Sequence, residues 1–301
     1  MNTLTLFYQL VCAKNVPDKM WLTSSFRAKF LLRSLVFPVT TFRYLHHLSE
    51  LPCMSQALRR QGLLPAKIHR PYLCSGFSVS QRAKAVIAHY NFVNQLKHTR
   101  MQELFLSDVD VLLCSFDGKN DEKFTIKFCT GYYDREGEVT LLLLMDDVRL
   151  GTLSFTIIER DGVPAFLIGG LQGAKKVTGN DFIRKATKAC FGLFPKKILM
   201  ETLLTIAMQC SVRRIMAVGD NTHVFHSLRY RLSKRNCFHA SYDEFWSSIS
   251  GSCTHDGLYT LTFSLSRKPL EEVASKKRAE YRRRYELLDS LQATLLHHLT
   301  H

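Results

Sequence analysis

The sequence predicts an α+β protein with a helical amino-terminal half, an antiparallel β-meander, a crossover helix leading to a parallel strand, and a long carboxy-terminal helix. Three observations carry that expectation. Over the first 115 residues apolar side chains recur without strict alternation, and Pro17, Pro38, Pro52, Pro65 and Pro71 cut the stretch into short segments. From Glu122 the hydrophobic period becomes two, broken at intervals by turn signals. After Gly173 a helical period returns. A chain of 301 residues with 46% apolar content can bury a sizeable core, which excludes disordered, fibrous and disulfide-stapled miniprotein classes.

In chain order, Trp21 to Phe37 is the first notable segment. On a helical wheel its apolar residues spread nearly all round, interrupted by Arg27, Lys29 and Arg33. Two readings stay open: a helix buried against its neighbours with its cations reaching outward, or a surface drawn to anionic lipid. Gln81 to Gln95 is a second helix candidate. Phe124 to Cys129, Val139 to Met145, Leu150 to Ile158 and Pro164 to Leu171 read as strands. They are separated by Asp134-Arg135-Glu136-Gly137, Asp146-Asp147 and Asp161-Gly162, which read as hairpin turns. Val139 to Met145 is apolar on both faces and should be covered on each side. Pro195 suits the first position of a helix running to Cys210 with little polar surface, so that helix should pack on the meander. Arg214 to Val218 reads as a short strand joining the sheet, Asp220 to Arg229 as a turn and helix, and Leu258 to Leu265 as another strand. From Pro269 an apolar stripe through Tyr281, Tyr285, Leu288, Leu291, Leu295 and Leu299 marks one long helix. The expected organisation is a basic helical region over 1–115, an α/β core over 116–266 and a carboxy-terminal helix over 267–301, without internal repeats.

Charge is distributed unevenly. The chain holds 41 basic and 26 acidic residues, a net +15, and residues 1–100 hold 14 basic against 2 acidic. This asymmetry points to an anionic partner for the first hundred residues, with anionic lipid or a membrane surface as the candidate. Nucleic acid is disfavoured, because the basic residues lie among apolar segments and no zinc finger, RNP motif or helix-turn-helix is present. Nine scattered cysteines without a C-x-x-C pair read as free thiols of a reducing compartment, and no metal-ligand spacing is evident. The amino terminus lacks a basic residue ahead of its apolar stretch and a small-residue cleavage site, so no secretory signal is expected. The longest runs without Asp, Glu, Lys or Arg are 13 residues, too short to span a bilayer. A cytoplasmic protein, soluble or peripheral to a membrane, fits these features.

Two polar clusters are candidates for chemistry. Gly169-Gly170-Leu171-Gln172-Gly173-Ala174-Lys175-Lys176 ends a strand with glycines, an amide and lysines, where backbone can approach a phosphate or acyl thioester. A bulged strand end explains the same glycines. Lys196 and Lys197 sit in the first turn of the buried helix, opposed by its dipole unless an anion binds there, although a solvated turn costs them little. The second cluster runs from Gly219-Asp220-Asn221-Thr222-His223 through Arg229-Tyr230 to Tyr242-Asp243. There His223 is the candidate acid or base, with Asp220 or Asp243 orienting its ring. Gln172, Lys175, His223, Arg229, Tyr230 and Asp243 would face one pocket if the two strand ends are parallel neighbours. The alternative is structural, with His223 capping its helix and Arg229 pairing with Asp243 to hold the loop.

The motifs Gly192-Leu193-Phe194-Pro195-Lys196-Lys197, Val218-Gly219-Asp220-Asn221-Thr222-His223-Val224, Arg229-Tyr230 and Tyr242-Asp243-Glu244-Phe245-Trp246 occur in an order that resembles the VirK/YbjX family of Gram-negative bacteria. Gly170-Leu171-Gln172-Gly173 and His89-Tyr90 fit the same family, and the resemblance covers roughly residues 20–265. It implies a non-secreted, virulence-associated accessory protein of the bacterial envelope, cytoplasmic and peripheral to the inner membrane, with an anionic envelope lipid as a candidate partner. Such a protein supports the placement of surface virulence proteins, which become candidate partners, and resistance to cationic antimicrobial peptides. The order of meander, glycine-containing strand end, buried helix, short strand, Asn221 and Tyr230 is also similar to the GNAT acyltransferase core. That similarity implies acyl-CoA as cofactor, with Gln172, Gly173, Lys175, Lys196 and Arg229 as ligand-binding candidates. It implies an acyl or aminoacyl transferase acting on an envelope lipid or glycolipid, and adds Tyr230 to His223 and Asp243 as catalytic candidates. In place of the Q/R-x-x-G-x-G/A loop of that core the chain has Gln172-Gly173-Ala174-Lys175-Lys176.

Overall fold

The computed structural model describes residues 2–175, 178–227 and 241–300. Six helices come first: α1 (Thr3–Val11), α2 (Ser24–Val36), α3 (Pro38–Glu50), α4 (Met54–Arg60), α5 (Val79–Gln95) and α6 (Thr99–Leu106). Pro38 opens α3 where its missing N–H costs nothing, and Ser78 and Gln81 close a capping box on α5. A meander follows, through β1 (Val111–Asp117), β2 (Lys123–Thr130), β3 (Val139–Met145), β4 (Val148–Arg160) and β5 (Val163–Gly173). Two of its turns have the chemistry the sequence announced. Asp146 and Asp147 both take positive φ (49° and 60°), as do Asp161 and Gly162 (52° and 73°), the backbone of two-residue hairpins.

Two helices, α7 (Asn180–Ala189) and α8 (Pro195–Gln209), then carry the chain across to β6 (Arg214–Val218), which pairs parallel to β5 from Ala165↔Arg214 to Ile168↔Ala217. A short helix α9 (Tyr242–Ser248), the small strands β7 (Ser252–Cys253) and β8 (Leu258–Leu261), and the long α10 (Ser275–Thr300) complete the described chain. The sheet order is β1-β2-β3-β4-β5-β6-β8-β7, antiparallel at every pairing except β5–β6.

The sheet carries two cores. Along β5 and β6 successive residues alternate between them: Phe166, Ile168, Ile215 and Ala217 go to a core with α8 and α10, and Ala165, Leu167, Met216 and Val218 go to a core with the amino-terminal helices. Every residue of β3 is buried, which matches its two-faced apolar sequence.

Three expectations need correction. Val111–Asp117 is a strand although its first five residues fall within the stretch read as helical. A bulge between Leu112 and Cys114 breaks its alternation, which hides the period of two. The segment Asp134 to Gly137 is no tight hairpin turn, because β2 and β3 stop pairing at Thr130↔Val139 and the chain between them folds inward. Finally, α2 answers only in part to the reading of Trp21 to Phe37 as a helix buried against its neighbours with its cations outward. Only Phe30 and Ser34 are buried, and Leu32, Leu35 and Val36 face outward. Its Arg33 turns inward, donating from Nη1 to the His69 carbonyl at 3.1 Å.

Candidate functional site

The inward fold of residues 131–138 builds the polar interior. Gly169 and Gly170 of β5 make room for it: a Cβ on Gly169 would lie 2.1 Å from the Glu136 carbonyl oxygen, and one on Gly170 would lie 2.0 Å from Glu136 Oε2. These glycines therefore admit another stretch of this chain rather than a phosphate. Leu73, held at φ 62°, donates its N–H to the Arg135 carbonyl at 2.7 Å, and Ser75 N–H donates to the Thr222 carbonyl at 2.8 Å. The amino-terminal region thus reaches both polar clusters through one short segment.

Glu136 and Glu138 point into two neighbouring networks. Glu136, almost fully buried, accepts from Gln172 Nε2 at 2.6 Å and faces His223 Nε2 at 3.6 Å through the same oxygen. His223 Nδ1 accepts from Phe225 N–H at 3.3 Å, which places the hydrogen of the neutral ring on Nε2, toward the carboxylate. The His223 ring stacks on Tyr242 at 5.2 Å. Burial and then the Glu136 charge push the Tyr242 hydroxyl well above its ordinary pKa, so it stays protonated. Its oxygen accepts the Leu171 N–H at 3.2 Å.

Glu138 is bound more completely. It takes Lys67 Nζ and Tyr72 Oη on Oε1 at 2.7 Å each, and Gln61 Nε2 on Oε2 at 2.7 Å. Burial alone would raise its pKa, but the Lys67 charge and the hydrogen bonds from Lys67 and Tyr72 outweigh it and hold the carboxyl below its usual range. His89 lies nearby, accepting the Ile157 N–H on Nδ1, and burial lowers its pKa to about 4.

The candidate residues from the sequence are distributed as follows. Gln172 and His223 meet through Glu136. Asp243 is engaged elsewhere: its Oδ1 accepts the Asp220 N–H at 2.9 Å, while Asp220 Oδ1 accepts the Tyr242 N–H at 2.6 Å. The two aspartates thereby clasp the start of α9 to the end of β6. Gly173 offers its carbonyl to Arg149 Nη2 at 3.4 Å, and Lys175 is exposed. Lys196 lies over the Phe245 ring at 5.3 Å, where burial lowers its pKa against the raising effect of Asp220. Arg229 and Tyr230 fall outside the described residues. The sequence reading missed Glu136, Glu138 and Lys67. The first two flank a glycine beside a turn signal that ordinarily means solvent, and Lys67 follows a proline among scattered basic residues, so neither context marks a buried charge.

Beyond Ile168↔Ala217 the strands β5 and β6 no longer pair. Tyr242 takes the freed Leu171 amide, and Trp246 donates from Nε1 to the Val218 carbonyl at 2.8 Å. Both side chains are buried, so α9 closes the gap between the strand ends.

Comparison with known proteins sets this site in a family. The chain is 40% identical over 294 residues to the "Uncharacterized protein YbjX" of Escherichia coli (strain K12), an alignment spanning 97% of this chain and 89% of that one. It is 27% identical over 219 residues to an "Uncharacterized protein" of Haemophilus influenzae, spanning 71% of this chain and 70% of that one. No solved structure matches. The family model described as "Protein of unknown function (DUF535)" matches residues 19–297, and with the YbjX identity this shows that the chain belongs to the DUF535 family of VirK/YbjX-like proteins.

Proposed function

We propose that this protein is an envelope accessory protein that works at the cytoplasmic surface of the bacterial inner membrane. It docks there reversibly and supports the placement of surface virulence proteins and resistance to cationic antimicrobial peptides. The supporting observation is the outer face of α2 and the start of α3, where Leu32, Leu35, Val36 and Val39 are 62–68% exposed. Ala28, Leu32, Leu35 and Val36 recur at helical spacing and form one stripe, continued at the corner by Phe37 and Val39. The exposed cations Lys14, Lys19, Lys29 and Arg43 belong to the same fifty residues, whose acidic residues are Asp18 and Glu50 alone. An apolar stripe among cations complements an anionic lipid surface, each side chain adding roughly 1 kcal/mol on insertion. No helix among the described residues is long and apolar enough to cross a membrane.

The experiment is sedimentation of the full chain with phosphatidylcholine vesicles, with and without phosphatidylglycerol. Binding to anionic vesicles that weakens with salt and is lost in Leu35→Ser/Val36→Ser is the expected result. The same variant should fail to restore peptide resistance to cells lacking the protein. An absence of binding to either vesicle would refute the membrane reading.

The transferase reading retains one observation in its favour, the buried Glu136–His223 juxtaposition at the carboxyl edge of β5 and β6. Against it, Leu171 N–H and the Gly173 carbonyl are already engaged by Tyr242 and Arg149. For a proton-transferring His223, His223→Ala abolishes protection at unchanged folded stability; for a structural one, stability and protection fall together.

A further inference from the structure

Between α8 and α10 lies a cavity of about 220 Å³, apart from both polar networks. Its walls are Lys197 and Glu201 of α8 and Tyr281, Arg284, Tyr285 and Leu288 of α10, and residues 265–268 close it from the segment between β8 and α10. Most of this frame is fixed by contacts within the chain. Tyr285 Oη donates to the Lys268 carbonyl at 2.7 Å, and Arg267 Nη1 meets Asp289 Oδ1 at 2.7 Å while its guanidinium lies over the Tyr285 ring at 5.5 Å. Arg284 donates from Nε to the Phe191 carbonyl at 2.9 Å and covers the Tyr281 ring at 4.1 Å. Both arginines are thus committed to holding the walls.

Two charges of opposite sign are left over. Lys197 and Glu201 stand one helical turn apart and line the same cavity, yet neither side chain forms a hydrogen bond or an ion pair among the described residues. Lysine ahead of glutamate is the less favourable order for pairing across a turn. Both residues are partly buried, and burial raises the Glu201 pKa against the lowering effect of Arg267. The carboxylate therefore bears part of the cost of leaving water without a cation in contact to offset it. Beside these two charges the walls are apolar, with Leu265, Leu288 and the two tyrosines, while Lys268 and Phe194 are exposed at the rim.

We infer that this cavity binds a free α-amino acid with an apolar side chain, its ammonium on Glu201, its carboxylate on Lys197 and its side chain against Tyr281, Tyr285 and Leu288. A ligand with one charge would leave the other helix charge unanswered, whereas a zwitterion whose ammonium and carboxylate sit on one carbon answers both across a single turn. The volume falls below the roughly 300–1,000 Å³ of pockets for drug-sized ligands, which suits a molecule of amino-acid size. Phosphoethanolamine carries the same two kinds of charge but has no side chain for the tyrosine wall. The site shares no residue with the stripe on α2 and α3, so it is independent of membrane docking.

The test is calorimetric titration of the full chain with leucine, methionine, phenylalanine and phosphoethanolamine. Saturable binding of at least one of the amino acids at a single site is expected, with its N-acetyl and methyl ester derivatives, each lacking one charge, about tenfold weaker or worse. These analogues probe the unaltered chain and so need no variant to fold. Glu201→Gln and Lys197→Gln should each weaken binding about tenfold, and Lys188→Gln, outside the cavity, should leave it unchanged, with thermal unfolding as the check that all three are folded. No saturable binding of any of the three amino acids, equal affinity for the N-acetyl derivative, or binding indifferent to both cavity variants would overturn the site. Tighter binding of phosphoethanolamine than of the amino acids would overturn the amino-acid assignment.

Discussion

Lys67 and Glu138 are each at most 2% exposed and meet at 2.7 Å, so each charge depends on the other. Desolvation of the two ions is repaid because Gln61, Tyr72 and Tyr90 surround the carboxylate, and Gln61 Oε1 also accepts from Lys67 Nζ. Lys67→Met should therefore cost about 3–5 kcal/mol in urea unfolding, since it leaves a buried carboxylate without its cation. Lys67→Met/Glu138→Gln should recover at least half of that, because an amide keeps an acceptor for Tyr72 and carries no charge. A double variant no more stable than the single one would show that the charge itself is needed. His89 makes a further expectation. Its folded pKa of about 4 lies below the ordinary value near 6.5, so the unfolded chain takes up the proton first as pH falls. The stability it contributes is complete above about pH 6.5 and declines by roughly 3 kcal/mol toward pH 4. His89→Gln, which keeps an acceptor for the Ile157 amide, should flatten that decline by about one proton's worth in urea titrations at pH 7 and pH 5. Glu138, with its lowered pKa, adds a loss of the same sign below its unfolded value.

At the scale of elements, α9 matters most to the candidate site. Tyr242 and Trp246 close the gap where β5 and β6 part, and the Asp220–Asp243 clasp fixes the helix there. Tyr242→Phe removes the acceptor from the buried Leu171 amide and should cost about 1–3 kcal/mol in denaturant unfolding with the sheet otherwise unchanged. A cost near zero would mean that the amide finds water or a ligand in place of the hydroxyl. Most elements here were legible in the sequence, because periodicity is a local property. Asp146-Asp147 and Asp161-Gly162 mark turns, Pro195 starts α8, and the two-faced β3 reads as buried. The failures share a cause, since they depend on pairing with distant chain. The β1 bulge is set by its β2 partner, and Glu136 is buried because Gly169 and Gly170, more than thirty residues later, leave it space. The site was half legible for the same reason. Gln172 and His223 were picked from polar clusters, whereas the carboxylate joining them lay in a segment whose local composition means solvent.

Across the whole molecule, one sheet separates two cores, and thiols report on both. Cys53 and Cys74 lie in the core with the amino-terminal helices, and Cys114, Cys190 and Cys210 lie in the one with α8 and α10. Burial pushes the Cys114 and Cys190 thiols up to about 12, so neither forms the reactive thiolate in the native state. Brief alkylation followed by mass spectrometry should label Cys12 and Cys253, the exposed thiols among the described residues. Because the Glu138 network joins the amino-terminal region to β3 and β4, buried thiols of both cores should become reactive at the same urea concentration. Two separated transitions would show that the cores unfold independently. The same network also affects how the protein is made. Lys67 precedes Glu138 by 71 residues, so on the ribosome it emerges about 4–14 s before its partner at ordinary rates of synthesis. In that interval the amino-terminal helices have no sheet to cover them, and the nascent chain presents apolar surface and an unmatched cation together, which makes it a substrate for chaperones before it is a finished fold.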